Sequence, residues 1–218
     1  MITKWLLPIA IWIMGMVYIF ISSAMIFKLI PMWLILVYAY QQRSHLKDRY
    51  LWLTLCGLFF CMLGDGLLQW FVIGLSAFLI GHLFYAAAFI TRWRFSWWRG
   101  ITLIPIIAYG ILMATQLLPA LVDRGDQGLI IPVVAYLVVI SAMGWLAIMT
   151  GNRWAIVGGL LFIASDSILA WNLFVAHITY STLLIMGTYY TAQFLFARSI
   201  RSEQQPQVQI QTPARPSL

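Results

Sequence analysis

The chain has 218 residues, of which 63% are hydrophobic and only 9% charged, and its mean hydropathy is +0.91. A soluble domain carries roughly a quarter charged residues, so too few polar side chains remain here to cover a water-facing surface, and a cytosolic or secreted enzyme is excluded. The net charge of +7 is distributed between apolar runs and is not gathered in a patch with interleaved aromatics, which points to membrane topology and away from nucleic acid.

The apolar runs are long and continuous and do not alternate as the strands of a membrane barrel would, so the predicted spanning element is the helix. In chain order, windows of about 19 residues predict spans at 5–22, 25–41, 51–70, 73–90, 100–118, 130–150, 154–175 and 178–197. The first resembles a signal sequence in having Lys4 ahead of an apolar run and small residues at Ser22, Ser23 and Ala24. It runs on to Phe27 without a clean small-x-small site, so a retained helix is expected. Cys56 and Cys61 fall on one predicted helix with Cα atoms about 8 Å apart, too far for a disulfide, and read as apolar fillers. The Gln- and Pro-rich segment 199–218 is expected to be a disordered cytoplasmic tail after an eight-helix domain covering 1–198.

An even helix count places both termini on one side, together with the links after the second, fourth and sixth spans. Lys4, Arg43, Lys47, Arg49, Arg92, Arg94, Arg99, Arg153, Arg198, Arg201 and Arg215 fall on that side; only Lys28 and Arg124 fall on the other, eleven against two. The positive-inside rule then makes the termini cytoplasmic. The expected molecule is an all-α polytopic protein of the bacterial inner (plasma) membrane, with the lipid bilayer as its solvent.

Two segments repeat. Gly57-Leu-Phe-Phe-Cys-Met-Leu-Gly-Asp65 in the third span is echoed by Gly158-Gly-Leu-Leu-Phe-Ile-Ala-Ser-Asp166 in the seventh, and Tyr85-Ala-Ala-Ala-Phe89 in the fourth by Tyr190-Thr-Ala-Gln-Phe194 in the eighth. The chain therefore reads as two four-helix halves, 1–90 and 100–198, and because four is even they are parallel repeats. Asp65 and Asp166 are the only carboxyls inside apolar spans; Asp48, Asp123, Asp126 and Glu203 lie in links or the tail. An aspartate at a helix centre costs about 2.5 to 3.5 kcal/mol even on insertion scales, so a chain keeps one where it faces the bundle interior or a wet cavity. Here that cost is met at matching places in both halves, which favours function over the alternative that each merely bridges helices through hydrogen bonds.

His82 lies mid-span in the fourth helix, with Tyr85 one turn on and nearly on the same face. Helix lengths put Asp65, His82 and Asp166 at similar depth, in the middle third or just outside it. Asn172, Tyr190 and Gln193 add polar groups that serve either substrate contact or helix–helix hydrogen bonding, whereas His177 falls in a short outer link and is expected to be solvated.

Gly64-Asp65, the Gly74-Leu-Ser-Ala-Phe78 and Gly81-His82 stretch, Ser165-Asp166-Ser167, and Tyr190 with Gln193 together give the chain a resemblance to the YhhN family of integral membrane proteins over nearly its whole length. The resemblance implies an eight-helix fold and, from characterised members, cleavage of the vinyl-ether bond of a lysophospholipid substrate, a lysoplasmalogen, to an aldehyde and a glycerophospho-alcohol. It also implies that the family's paired aspartates are Asp65 and Asp166. A vinyl ether hydrolyses by slow protonation of its β-carbon, giving an oxocarbenium ion that water attacks. One carboxyl must therefore carry a proton and the other be ionised, as in the carboxyl pairs of glycosidases, and no cofactor or metal is required. On sequence alone either aspartate can take either role.

Two rival readings use the same residues. Asp65, His82 and Asp166 could supply three metal ligands, although no His-x-x-x-His or Cys-x-x-Cys pairing accompanies them. Alternatively, the two aspartates could carry protons in a proton-coupled transporter of a small or lipid-like substrate, with a site at the repeat interface. Pro31, Pro105 and Pro132 lie near span ends, so the broken helices of many transporters are not evident.

Overall fold

The computed structural model describes residues 3–43 and 48–202. Lys47 and the tail from Glu203 onward, including Arg215, lie outside the described residues. All regular structure among the described residues is helical. The eight long helices are α1 (Thr3–Phe20), α2 (Met25–Gln41), α3 (Arg49–Leu67), α4 (Phe71–Thr91), α5 (Leu103–Asp123), α6 (Ile130–Met149), α7 (Arg153–Phe174) and α8 (Ser181–Ser202). A one-turn helix, Trp97–Gly100, precedes α5, and a 3-10 turn, Gln127–Leu129, precedes α6. Five segments are long and apolar enough to cross a membrane, namely Arg49–Leu67, Phe71–Thr91, Trp97–Asp123, Gln127–Met149 and Arg153–Phe174. The molecule is an integral, multi-pass membrane protein.

Each predicted apolar run is helical, and the differences lie at the ends. Helix α3 stops at Leu67, where Trp70 N–H closes a turn on the Leu67 carbonyl, so Asp65 sits in the last turn of its helix, whereas the predicted span ran on to residue 70. Helix α8 continues to Ser202, past the predicted end of its span.

Helices adjacent in the chain pack side by side from α1 to α4 and again from α5 to α8. The two groups interlock because α4 lies on α6 and α8 lies on α2. Helix α8 is also in contact with α1 and α3, while α5 sits outermost on α6 and α7. The α3–α4 and α7–α8 contacts are the closest, and the repeated glycines explain why. A Cβ on Gly57 would lie 2.5 Å from the Tyr85 ring, and one on Gly158 would lie 2.8 Å from the Phe196 ring, so each glycine makes the space into which an aromatic of the following helix is seated. Tyr85, Phe89, Phe162 and Phe196 form the resulting aromatic core, with Tyr85 and Phe196 centroids 4.7 Å apart.

At the end of the bundle where α8 finishes, polar groups hold the helices together. Asp48 caps α3 by accepting from Tyr50 N at 2.9 Å, and Asn152 caps α7 by accepting from Trp154 N at the same distance. Arg92 donates to Asp48 Oδ2 at 3.1 Å and to the Ser199 carbonyl at 3.2 Å, its guanidinium lying 3.6 Å from the Tyr50 ring centroid. It thereby satisfies carbonyls at the C-terminal end of α8 that have no partner within the helix. Asn152 Nδ2 donates to the same Ser199 carbonyl, and Tyr50 Oη and Ser199 Oγ lie 2.6 Å apart. Beside this end stand the exposed rings of Phe95, Trp97 and Trp98, as expected where aromatic side chains meet a membrane interface.

Candidate active site

The opposite end of the bundle, where α1, α3 and α7 finish and α2, α4 and α8 begin, holds a cavity of about 230 Å³ that carries several polar groups on a largely apolar wall. Lys28, Asp65, Ser165, Asp166, Asn172 and Tyr189 are among its lining residues. Both intramembrane aspartates thus face one space, but their surroundings differ.

Asp65 accepts from a cation and a hydroxyl. Its Oδ1 is 3.1 Å from Lys28 Nζ, and its Oδ2 accepts from Tyr189 Oη at 2.7 Å. Lys28 Nζ also donates to the Asp65 carbonyl at 3.3 Å, one of the carbonyls exposed by the early end of α3. With the Asp65 and Lys28 side chains only 4% and 12% exposed, the pair is a buried one, in which each charge is tolerated because of the other.

Asp166 has no lysine or arginine partner among the described residues. Its Oδ2 accepts from the Tyr136 hydroxyl of α6 and lies 3.8 Å from His82 Nε2 of α4. His82 is fully buried, packed edge-on against Phe162 with centroids 4.6 Å apart, and its Nδ1 lies 2.6 Å from the Phe78 carbonyl. A carbonyl can only accept, so Nδ1 carries a proton, and in the neutral ring Nε2 then presents a lone pair toward Asp166. Nε2 has no hydrogen-bond partner among the described residues. The Tyr136 bond matters for the same reason: the oxygen that accepts it has carbonyl character in a protonated carboxyl, which leaves Oδ1 to carry the acidic hydrogen.

The other predicted residues divide. Asn172 lines the cavity, its Oδ1 accepting from Ile178 N at 2.8 Å and so shaping the link into α8. Tyr190 points elsewhere: its hydroxyl donates to the Lys28 carbonyl at 2.8 Å, holding the start of α2. Tyr85 and Gln193 pair with each other, Oη to Oε1 at 2.5 Å, among the buried rings and away from the cavity wall. His177 is exposed. Asp65, His82 and Asp166 do not form a three-ligand group among the described residues, and Asp65 is occupied by Lys28. Sequence reasoning missed three residues of the site, Lys28, Tyr136 and Tyr189. Lys28 had a signal, being the only cation within the span predicted at 25–41.

The mouse protein lysoplasmalogenase TMEM86B is 34% identical over 156 residues, 68% of this chain and 63% of the mouse one. Its human counterpart is 36% identical over 142 residues, 62% and 58% of the two chains, and bovine lysoplasmalogenase TMEM86A is 36% identical over 169 residues, 69% and 65%. The chain thus spans a little under two thirds of the length of these curated relatives. No solved structure matches it. The family model described as the YhhN family matches residues 23–200, which takes in Lys28, Asp65, His82 and Asp166 and most of the chain; the chain belongs to the YhhN family.

Proposed function

We propose that this protein is a lysoplasmalogenase, an intramembrane hydrolase that cleaves the vinyl-ether bond of lysoplasmalogens with Asp166 as the acid and Asp65 as the ionised partner. The observation that carries the reading is the unlike environment of two carboxyls on one cavity: Asp65 beside Lys28 and Tyr189, Asp166 beside Tyr136 and His82. The relatives named lysoplasmalogenase lend it the substrate class.

Asp166 transfers its proton to the β-carbon of the vinyl ether, and the α-carbon and ether oxygen share the positive charge that results. Asp65 stabilises that cation and orients a water, whose oxygen bonds to the α-carbon while the Asp166 carboxylate takes up its proton. The hemiacetal then collapses: the carbon–oxygen bond to the glyceryl group breaks, a proton reaches the departing oxygen, and the hydroxyl proton is lost as the aldehyde forms. One water is consumed and Asp166 ends as it began.

In the same reading all eight long helices span the membrane as two parallel halves, 1–90 and 100–198, with both termini cytoplasmic. The matching order of helix contacts within α1–α4 and α5–α8 supports the halves, and the link charges support the orientation. The cavity then opens toward the outer leaflet. Purified protein given lysoplasmalogen should release a trappable aldehyde, and the saturated-ether and acyl lysolipids should release none. Uptake of substrate into vesicles with no aldehyde would favour the proton-coupled transporter instead.

A further inference from the structure

A second cavity adjoins the first and is more uniformly apolar. It is a narrow slot of about 60 Å³ between α4, α5, α6 and α7, walled by Leu75, Met113, Leu117, Val133, Leu137 and Ala170. Its lining is apolar apart from Tyr136, Asp166 and Ser167. Leu68, Phe78, Asp166 and Leu169 border both spaces, so the Asp166 carboxyl stands at the boundary where the polar cavity gives way to the apolar one.

We infer that this slot is the seat of the hydrocarbon chain of a single-chain lipid, whose polar part occupies the Lys28–Asp65 cavity. A lysolipid with an ether-linked chain changes from polar to apolar at the ether bond itself. Laid across the two cavities, it brings that bond beside Asp166, where the protein makes the same change. A slot of this volume with a single carboxyl at its mouth admits the first methylenes of one chain, and their burial there draws the bond toward the acid. Met113, Leu117 and Val133 are buried, and these side chains would set how much chain is accepted. The inference takes the identity of the bond from the proposed hydrolase activity, but the seat of the chain does not depend on any bond being cut.

The test uses a saturated-ether lysolipid with a diazirine in the proximal half of its chain, irradiated with the whole protein in nanodiscs, the adducts being mapped by mass spectrometry. Adducts are expected on Met113, Leu117, Val133 and Leu137. Adducts confined to outward residues such as Ile104 and Ile111, which any bilayer lipid would touch, overturn the inference. Ala170→Leu, which intrudes into the slot, should weaken labelling by roughly fourfold for each methylene it excludes. Leu137→Ala, which widens the slot, should retain labelling and accept a bulkier chain; labelling insensitive to Ala170→Leu, or a bulkier chain excluded equally with and without Leu137→Ala, overturns the inference. Slot adducts with no aldehyde from the vinyl ether would leave this inference standing and remove the hydrolase reading. Aldehyde release without slot adducts would do the reverse.

Discussion

The two aspartates stand at matching places in α3 and α7, and the rule for supplying their neighbours is the same. Each receives one partner from the helix preceding its own, Lys28 of α2 for Asp65 and Tyr136 of α6 for Asp166. Each receives a second from the last helix of the other group of four, Tyr189 of α8 for Asp65 and His82 of α4 for Asp166. The supply is matched but the partners are not. Where one carboxyl meets an ammonium and a hydroxyl, the other meets a hydroxyl and an imidazole nitrogen, and the proposed mechanism assigns the two opposite charge states on that difference.

Replacing the carboxyls should produce the largest effect. Asp65→Asn and Asp166→Asn keep size and much of the hydrogen-bonding capacity, so both should insert, the first with some loss of stability because Lys28 is left without its counter-charge. Each should nonetheless lose at least ~100-fold in turnover, the low end for a positioned proton-transfer group. The double variant should be little worse than either single one, because the two act as a unit. Aldehyde release within about threefold of the starting protein in either single variant, set against that floor, would sink the carboxyl-pair mechanism.

Lys28→Met separates the two sites by stability. Left without its cation, Asp65 becomes an uncompensated buried charge, at a cost of about 3–5 kcal/mol. Adding Asp65→Asn should recover most of the lost thermal stability in detergent but none of the activity. Recovery of both would mean that the pair only fastens α2 to α3.

The tyrosines sharpen the comparison further. Tyr189→Phe removes a hydrogen bond to an ionised group and should cost about 1.5–3 kcal/mol, whereas Tyr136→Phe, beside a protonated carboxyl, should cost only about 0.5–1.5 kcal/mol. The reverse order in a melting assay would exchange the roles assigned to the aspartates, and equal costs would remove the distinction between them. The smallest effect should come from chelation: EDTA is expected to leave turnover unchanged, and loss that zinc restores would revive the metal reading with His82 as a ligand.

Asp65, Asp166 and His82 were legible because a charge or imidazole within an apolar run has a cost that must be repaid, and hydropathy alone exposes it. Tyr136 and Tyr189 were not, because a tyrosine barely disturbs hydropathy and reveals its hydroxyl only when a neighbouring helix brings an acceptor to it. The choice of Tyr190 over Tyr189 shows the limit: adjacent residues on a helix point about 100° apart, and only packing decides which faces the cavity. Lys28 was counted with the link cations because a lysine near a span end ordinarily extends to the interface; here it turns inward to Asp65. The helices themselves were read well from their apolar runs, apart from ends such as Leu67, where a turn and not a change of polarity stops the helix.

The cluster of Arg92, Tyr50, Asn152 and Ser199 has a mechanical consequence. Parting α8 from its neighbours at that end would break the bonds from Arg92 and Asn152 to its last carbonyls and the Tyr50–Ser199 contact together, so α8 is clamped there to the elements on either side. At the far end the helix is entered through Tyr180, a non-glycine residue in the left-handed region with φ 61°, and the tyrosine hydroxyls hold it one bond at a time. A bundle fastened in this way resists separation of its helices most at the pinned end, which keeps the register of α3, α7 and α8 fixed.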